Sequence, residues 1–235
     1  MNGKKMNKIF FSLALLTPIF SVNAAELSGH IGFTSDYRLN GQSQSAGHAA
    51  AQGNLNLQFE SGIFLDMFGT SVDFGPGDDA TTEIDYAIGY KGALSDELFY
   101  GGYLSYYTFP GRDTPFGGDF AEITAVLAYK HMTATYSYTD NNFDLDQKLS
   151  KVGVDLNYPL SDTLTLDLHA SHNFGSGVEG LYGPGNDNYQ DYAIGLTKSI
   201  SELDFSVAYI INNLPNSAIE DFDDNTLVFA ISHSF

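Results

Sequence analysis

The sequence predicts an all-β fold, a transmembrane antiparallel up-and-down β-barrel. Apolar residues recur with a period of two along most of the chain, and short turns alternate with longer loops. After residue 24, no apolar run approaches the ~18 residues that indicate a membrane helix. Because every backbone polar group must be paired inside lipid, strands that cross a bilayer have to close into a barrel.

Residues 1–24 are predicted to be a cleaved secretory signal peptide, and residues 25–235 a single barrel domain. Lys4, Lys5 and Lys8 precede a short apolar run. Val22 and Ala24 then stand at the positions expected three and one before a cleavage site. The expected destination is the outer membrane of a Gram-negative bacterium, reached through the periplasm.

Strands are predicted wherever the period of two is sustained. In the first, Leu27, Ile31 and Phe33 alternate with polar residues, whereas residues 63–74 and 98–109 are apolar or aromatic on both faces. A barrel of ten strands is the alternative, if some neighbouring runs are parts of the same strand. The twelve predicted strands are residues 27–37, 49–60, 63–74, 82–91, 98–109, 120–130, 132–139, 149–158, 164–174, 190–200, 203–211 and 226–235.

The connections between these strands alternate in length. Such alternation is typical of outer-membrane barrels, which have short periplasmic turns and longer extracellular loops. The short turns fall near residues 61–62, 92–97, 130–131, 159–163 and 200–202. The longer loops, rich in Gly, Asp and Asn, fall at residues 38–48, 75–81, 110–119, 140–148, 175–189 and 212–225.

The last strand has the pattern of a barrel-assembly signal. Its large side chains, Phe229, Ile231, His233 and Phe235, alternate with small and mostly polar residues. This ending resembles the C-terminal signal of bacterial outer-membrane proteins. The expected partners are therefore the barrel-assembly machinery and periplasmic chaperones, together with outer-membrane lipid and lipopolysaccharide.

Composition excludes several classes of function. The sequence has 10 basic and 29 acidic residues, and three of the lysines lie in the predicted signal peptide, so the remainder carries a formal net charge of −22. Such a charge argues against nucleic acid as a partner. The chain has no cysteine, which excludes disulfides and thiolate chemistry. No metal site or cofactor is expected, because the acidic loop residues are interpreted as solvated surface charge rather than as ligands for divalent cations shared with lipopolysaccharide.

Several segments of the chain match, in order, those of a known family. They include residues 33–37, 41–45, 56–62, 71–74, 83–86, 106–111, 136–140 and 191–195. Through these segments the chain, from residue 27 onward, resembles the TorF-like family of outer-membrane porins. The resemblance implies a barrel with a pore and carries no catalytic motif. An Arg-Gly pair usual in the family's first loop is replaced by Leu39-Asn-Gly41 after Arg38.

The charged residues predicted to face inward indicate which ions the lumen prefers. Rings of carboxylates favour cations, so the sequence predicts a passive, cation-preferring channel for small hydrophilic solutes. Twelve strands give a backbone radius of roughly 12 Å, which side chains largely fill. Hence a non-conducting surface or structural barrel, with its charges paired in a closed interior, is the alternative. The candidate wall residues are Asp36, Glu60, Glu83, Asp85, Glu122, Asp155, Asp167 and Asp204, opposed by Lys91, Lys130 and Lys151, with Arg38 near the mouth.

A lipid-modifying enzyme is the weakest alternative, and no catalytic activity is expected. His169 and Ser171 share a strand face, which loosely resembles the His-x-Ser pair of outer-membrane lipid A deacylases. Those enzymes need a carboxylate at a fixed distance and a lipid-facing histidine. Here the alternation turns His169 inward, and Glu179 lies in a loop.

Overall fold

The computed structural model describes residues 25–113, 118–214, 222 and 224–235. The predicted signal peptide, residues 1–24, lies outside the described residues. The strands in chain order are β1 (Glu26–Thr34), β2 (Arg38–Leu39), β3 (Gln42–Ser43), β4 (Ala50–Gln58), β5 (Ile63–Ser71), β6 (Thr82–Ala93), β7 (Leu98–Thr108), β8 (Phe120–Tyr129), β9 (Met132–Thr139), β10 (Leu149–Ser161), β11 (Leu164–Phe174), β12 (Asn188–Ile200), β13 (Leu203–Asn212) and β14 (Thr226–Ser234).

Within the described ranges, β1 and β4 to β14 form one closed antiparallel barrel of twelve strands. The predicted fold class and strand count are confirmed. β2 and β3 form a separate two-stranded hairpin in the first loop, which the sequence analysis did not anticipate. A short helix, α1 (Ser176–Tyr182), lies in the connection between β11 and β12. Among the described residues, no helix is both long and apolar enough to cross a bilayer.

The barrel closes between its first and last strands. Phe33 lies opposite Ile231, and Ile31 opposite His233. Gly29 and Phe235 exchange two backbone hydrogen bonds, each 3.0 Å long. Pairing β1 with β14 leaves no open sheet edge, which satisfies the backbone of both strands.

The outer face is apolar and bounded by two aromatic rings. Between the rings, exposed aliphatic side chains such as Ile88, Leu104 and Ile194 cover the wall. This pattern is the one that suits a barrel in lipid. Phe33, Tyr106, Tyr136, Tyr192, Tyr209 and Phe229 are exposed near the end with long loops; Phe59, Tyr90, Tyr100, Tyr129, Tyr158 and Phe235 are exposed near the end with short turns.

The inner face is polar and largely buried, because successive residues of a strand point to opposite faces. In β11, Thr165, Asp167, Ser171 and Asn173 are buried, whereas the intervening apolar residues point outward. The barrel therefore has polar groups where a water-soluble β-sandwich has its apolar core. These groups have to be satisfied by one another or by the contents of the lumen.

Candidate functional site: a constriction in the lumen

The hairpin β2–β3 forms the narrow part of the lumen. Its two-residue turn is Asn40-Gly41, with φ values of 52° and 78°. Asn-Gly is a preferred pair for such a turn, because both residues must adopt positive φ. Leu39 lies opposite Gln42, so the short chain between β1 and β4 turns back sharply.

Asp36 holds the base of the hairpin. Its carboxylate accepts hydrogen bonds from Ser43 Oγ at 2.6 Å and Ser45 Oγ at 3.2 Å, and it pairs with Arg38 Nε at 2.5 Å. Arg38 also donates through Nη1 to the carbonyl oxygen of Asp224, at 2.7 Å. A buried carboxylate with this many donors makes the hairpin a defined structure rather than a loose loop.

The hairpin reaches across the barrel from one wall to the other. Near its base, the Tyr37 hydroxyl donates to Glu83 Oε1 on β6 at 3.2 Å. At its tip, Lys151 Nζ of β10 donates to Asn40 Oδ1 at 2.8 Å, and Asn212 Nδ2 of β13 donates to the carbonyl of Gly41 at 3.0 Å. Contacts with both walls place the hairpin across the lumen.

Gly41 brings the tip against β12. A Cβ atom on Gly41 would lie 2.6 Å from Cβ of Asp191 and 3.2 Å from Cβ of Asn212. Both neighbours are Cβ atoms fixed to the wall, so neither can move aside as the end of a long side chain would. Only glycine combines this approach with a φ of 78°.

Asp155, His169 and Asp191 form a chain of contacts across three neighbouring strands below the hairpin tip. His169 Nδ1 lies 2.7 Å from Asp155 Oδ1, and His169 Nε2 lies 3.1 Å from Asp191 Oδ1. Asp191 also accepts hydrogen bonds from Ser171 Oγ and from Asn173 Nδ2, the latter at 2.8 Å. Because Ser171 donates to Asp191 and not to His169, the group lacks the hydroxyl-to-imidazole bond of a catalytic serine site.

A cavity lies between the hairpin tip and this wall. Its empty volume is about 520 Å³, part of it open to solvent. Arg38 and Asn40 line it from the hairpin side, and Lys151, Asp155 and His169 from the barrel wall. The lining combines these charged and polar side chains with the apolar residues Leu39, Ala193 and Ile210.

The structure brings three of the predicted wall residues, Asp36, Lys151 and Asp155, to the constriction. Others lie elsewhere on the inner face. Glu83, buried, and Asp85, half-buried, are on β6, and Glu122 on β8 lies 3.4 Å from the Tyr107 hydroxyl. Towards the short-turn end, Asp167 accepts from Asn157 at 3.1 Å and from Thr197 at 3.0 Å, Asp204 accepts from Ser199 at 2.5 Å, and Lys91 is half-buried on β6.

Two predicted wall residues do not line the lumen. Glu60 is exposed in the turn after β4, which ends at Gln58. Lys130 is exposed in the turn after β8 and pairs with Glu97 at 3.3 Å. Strict alternation extended both strands too far, whereas the chain leaves the wall before these positions.

Two further carboxylates of the inner face were missed. Asp191 belongs to the Asp155–His169–Asp191 chain, and Asp66 of β5 accepts hydrogen bonds from Asn54 at 2.6 Å and Asn56 at 3.1 Å. Tyr192, Ile194 and Leu196 mark the outward face of β12, so period-two alternation would have indicated that Asp191 points inward. Among the residues that the structure describes, no cluster of three or more His, Cys, Asp or Glu side chains is arranged to hold a metal ion.

Comparison with known proteins gives a family and a fold. A family model described as "Bacterial protein of unknown function (Gcw_chp)" matches residues 21–235. No curated protein matches the chain. The NanC porin is similar in structure, with a TM-score of 0.56 and 11% identity, over 89% of this chain and 99% of that one. The KdgM porin in complex with disordered oligogalacturonate has a TM-score of 0.52 and 6% identity, over 89% and 98% of the two chains.

Proposed function

This chain belongs to the Gcw_chp family of bacterial proteins of unknown function, and we propose that it is a passive outer-membrane channel narrowed by the hairpin β2–β3. The observation that carries the proposal is the cavity beside the hairpin tip, which has charged residues in its lining, inside a closed barrel with an apolar outer face. The long loops then lie outside the cell and the short turns in the periplasm. The resemblance to TorF-like porins supports the same function.

The solutes are small and hydrophilic. The KdgM porin, similar in fold, forms a complex with an oligogalacturonate. This supports passage of a polar solute through a barrel of this size. In the present chain the hairpin contacts both walls of the lumen, which limits the solute to one that fits the remaining cavity.

Recording from planar bilayers tests the channel against a closed, non-conducting barrel. Refolded protein is expected to give discrete current steps, because the cavity is partly open to solvent. A protein that inserts as a folded barrel but passes no current would support the non-conducting alternative.

Substituting Gly41 is expected to change those steps. In Gly41→Ala the added Cβ would clash with Asp191, and an alanine at this position of the turn would be strained by its positive φ. The hairpin tip should therefore move away from the wall, and the conductance should rise. Gly111→Ala is the matched control, since Gly111 has a φ of 84° but no atom within 4 Å of the added Cβ. Equal conductance of both variants and the wild type would show that the hairpin does not limit the current.

Cation preference is part of the proposal, because carboxylates outnumber basic groups on the inner face. Asp66→Asn together with Asp204→Asn is expected to lower the cation-to-anion permeability ratio, measured from reversal potentials in a salt gradient. Both side chains are half-buried on the inner face, and asparagine preserves their shape. Asp162→Asn, in an exposed turn, is the control.

The difference in permeability ratio between the wild type and the double variant should shrink near 1 M salt, where the Debye length is ~3 Å. Anion preference in the wild type would refute the proposed cation preference.

A further inference from the structure

The cavity beside the hairpin is lined by Lys151, which forms no ion pair with the part of the chain that the structure describes. Lys151 is only 8% exposed. Its ammonium donates to Asn40 Oδ1 at 2.8 Å, and no described carboxylate forms an ion pair with it. An ammonium has three N–H donors, so two of them remain for a molecule in the cavity. A buried cation without a counter-charge is costly unless a ligand supplies one.

Asp155, which also lines the cavity, has a carboxylate oxygen to which no described residue donates. Oδ1 of Asp155 lies 2.7 Å from His169 Nδ1, which leaves Oδ2 buried without a hydrogen bond from any described residue. The other nitrogen of His169 is engaged by Asp191, at 3.1 Å. His169 therefore has no ring nitrogen left for a ligand, whereas Asp155 has one acceptor.

The two unmatched groups lie on one strand with a gap between them. Lys151, Gly153 and Asp155 share the inward face of β10, and all three line the cavity. Gly153 places no side chain between the two charges, and Thr135 Oγ1 would lie only 2.8 Å from a Cβ at this position. Lys151 and Asp155 are four positions apart, which corresponds to about 13 Å between Cα atoms of a strand. The long lysine side chain can shorten the distance between its ammonium and the carboxylate of Asp155.

We propose, resting on the channel function proposed above, that this cavity is a binding site for a small zwitterion with a carboxylate at one end and an ammonium at the other, the chemistry of a short peptide. Its carboxylate accepts hydrogen bonds from Lys151 Nζ, and its ammonium donates to Asp155 Oδ2. A simple anion is disfavoured by the carboxylates of the inner face, and a simple cation by Lys151. A zwitterion has no net charge and satisfies both groups.

Isothermal titration calorimetry on the refolded barrel in detergent tests the site without requiring conduction. The probes are alanyl-alanine, its N-acetyl derivative without the ammonium, and its C-terminal amide without the carboxylate. Alanyl-alanine is expected to bind the wild type about tenfold or more tightly than either derivative, since each loses a charge-assisted hydrogen bond. Equal binding of the N-acetyl derivative would identify a simple anion site and overturn the proposal.

Variants test which residues form the site. Lys151→Met and Asp155→Asn are each expected to weaken alanyl-alanine binding about tenfold or more. Lys130→Met removes a lysine from an exposed turn and should leave binding unchanged. Heat-modifiable migration verifies that each variant is folded. Unchanged affinity in folded Lys151→Met, or no binding by the wild type, would refute the site.

Current recordings separate this proposal from the channel itself. If the wild type conducts, alanyl-alanine should reduce its current in a saturable manner, and Lys151→Met should abolish that block. A barrel that binds alanyl-alanine in the calorimeter but passes no current retains the site and refutes the channel. A barrel that conducts but does not bind alanyl-alanine retains the channel and refutes the site.

Discussion

Removing Phe235 is expected to abolish accumulation of the barrel in the outer membrane. Phe235 and Gly29 exchange two backbone hydrogen bonds at the end of the closing seam. The ring of Phe235 also packs over Gly29, where an added Cβ would lie 2.9 Å from the ring. Loss of this residue removes the last pair of the seam and the end of the predicted assembly signal.

Heat-modifiable migration of outer-membrane fractions measures this effect. Phe235→Asp should behave like the deletion, because it places a charge on the exposed outer face beside Gly29. Phe235→Tyr is the control and should assemble normally, since it retains the ring. Normal levels of folded barrel after deletion of Phe235 would contradict an assembly role for the terminal strand.

Arginine on the outer face is expected to destabilise the barrel far more than arginine facing inward. Val154 lies near the middle of β10 and is 39% exposed among apolar neighbours. Val154→Arg should lower the free energy of unfolding by about 2–4 kcal/mol, the cost of arginine near the bilayer midplane. The reason is that the guanidinium would have to enter hydrocarbon without a partner.

Asn157→Arg is the matched control on the same strand. Asn157 points inward and donates to Asp167 Oδ1 at 3.1 Å, so an arginine there can pair with that carboxylate. Reversible unfolding in phospholipid vesicles compares the two variants. Greater loss of stability in Asn157→Arg than in Val154→Arg would show that the two faces of the barrel are assigned the wrong way round.

Alternation of side chains made the barrel predictable, above all in strands whose two faces differ clearly. The terminal strand shows why: Leu227 and Phe229 are exposed, and Ser232 is 3% exposed, as a period of two requires. The ends of the strands were harder to predict from the sequence. Lys130 continues the predicted strand, but it has a φ of 54° and belongs to a turn.

The site could be predicted only in part, because it depends on contacts between distant segments. His169 was expected to face inward, but its position opposite Asp155 depends on the register of β10 against β11. Alternation within one strand carries no information on that register. The hairpin had a usable signal in Asn40-Gly41, whereas its contact with Lys151 joins residues 111 positions apart.

Helix α1 was not anticipated, since glycines at 175, 177 and 180 favour a loop. In the structure, its Val178 is 1% exposed and packs with Tyr189 and Leu214. Tertiary packing therefore overrides the weak helical propensity of this segment. A hydrophobic pattern within a seven-residue helix cannot indicate packing partners as distant in sequence as Leu214.

Passage of solute through the cavity beside the hairpin can be tested by blocking that cavity chemically. The chain has no cysteine, so a single introduced cysteine is the sole target for a thiol reagent. Ala193 lines the cavity, whereas the neighbouring Ile194 is 54% exposed on the outer face. Single-channel current is recorded from Ala193→Cys and Ile194→Cys before and after addition of a charged methanethiosulfonate. The reagent is expected to reduce the current through Ala193→Cys and to leave the current through Ile194→Cys unchanged. Unaltered current through a fully modified Ala193→Cys channel would contradict passage through this cavity.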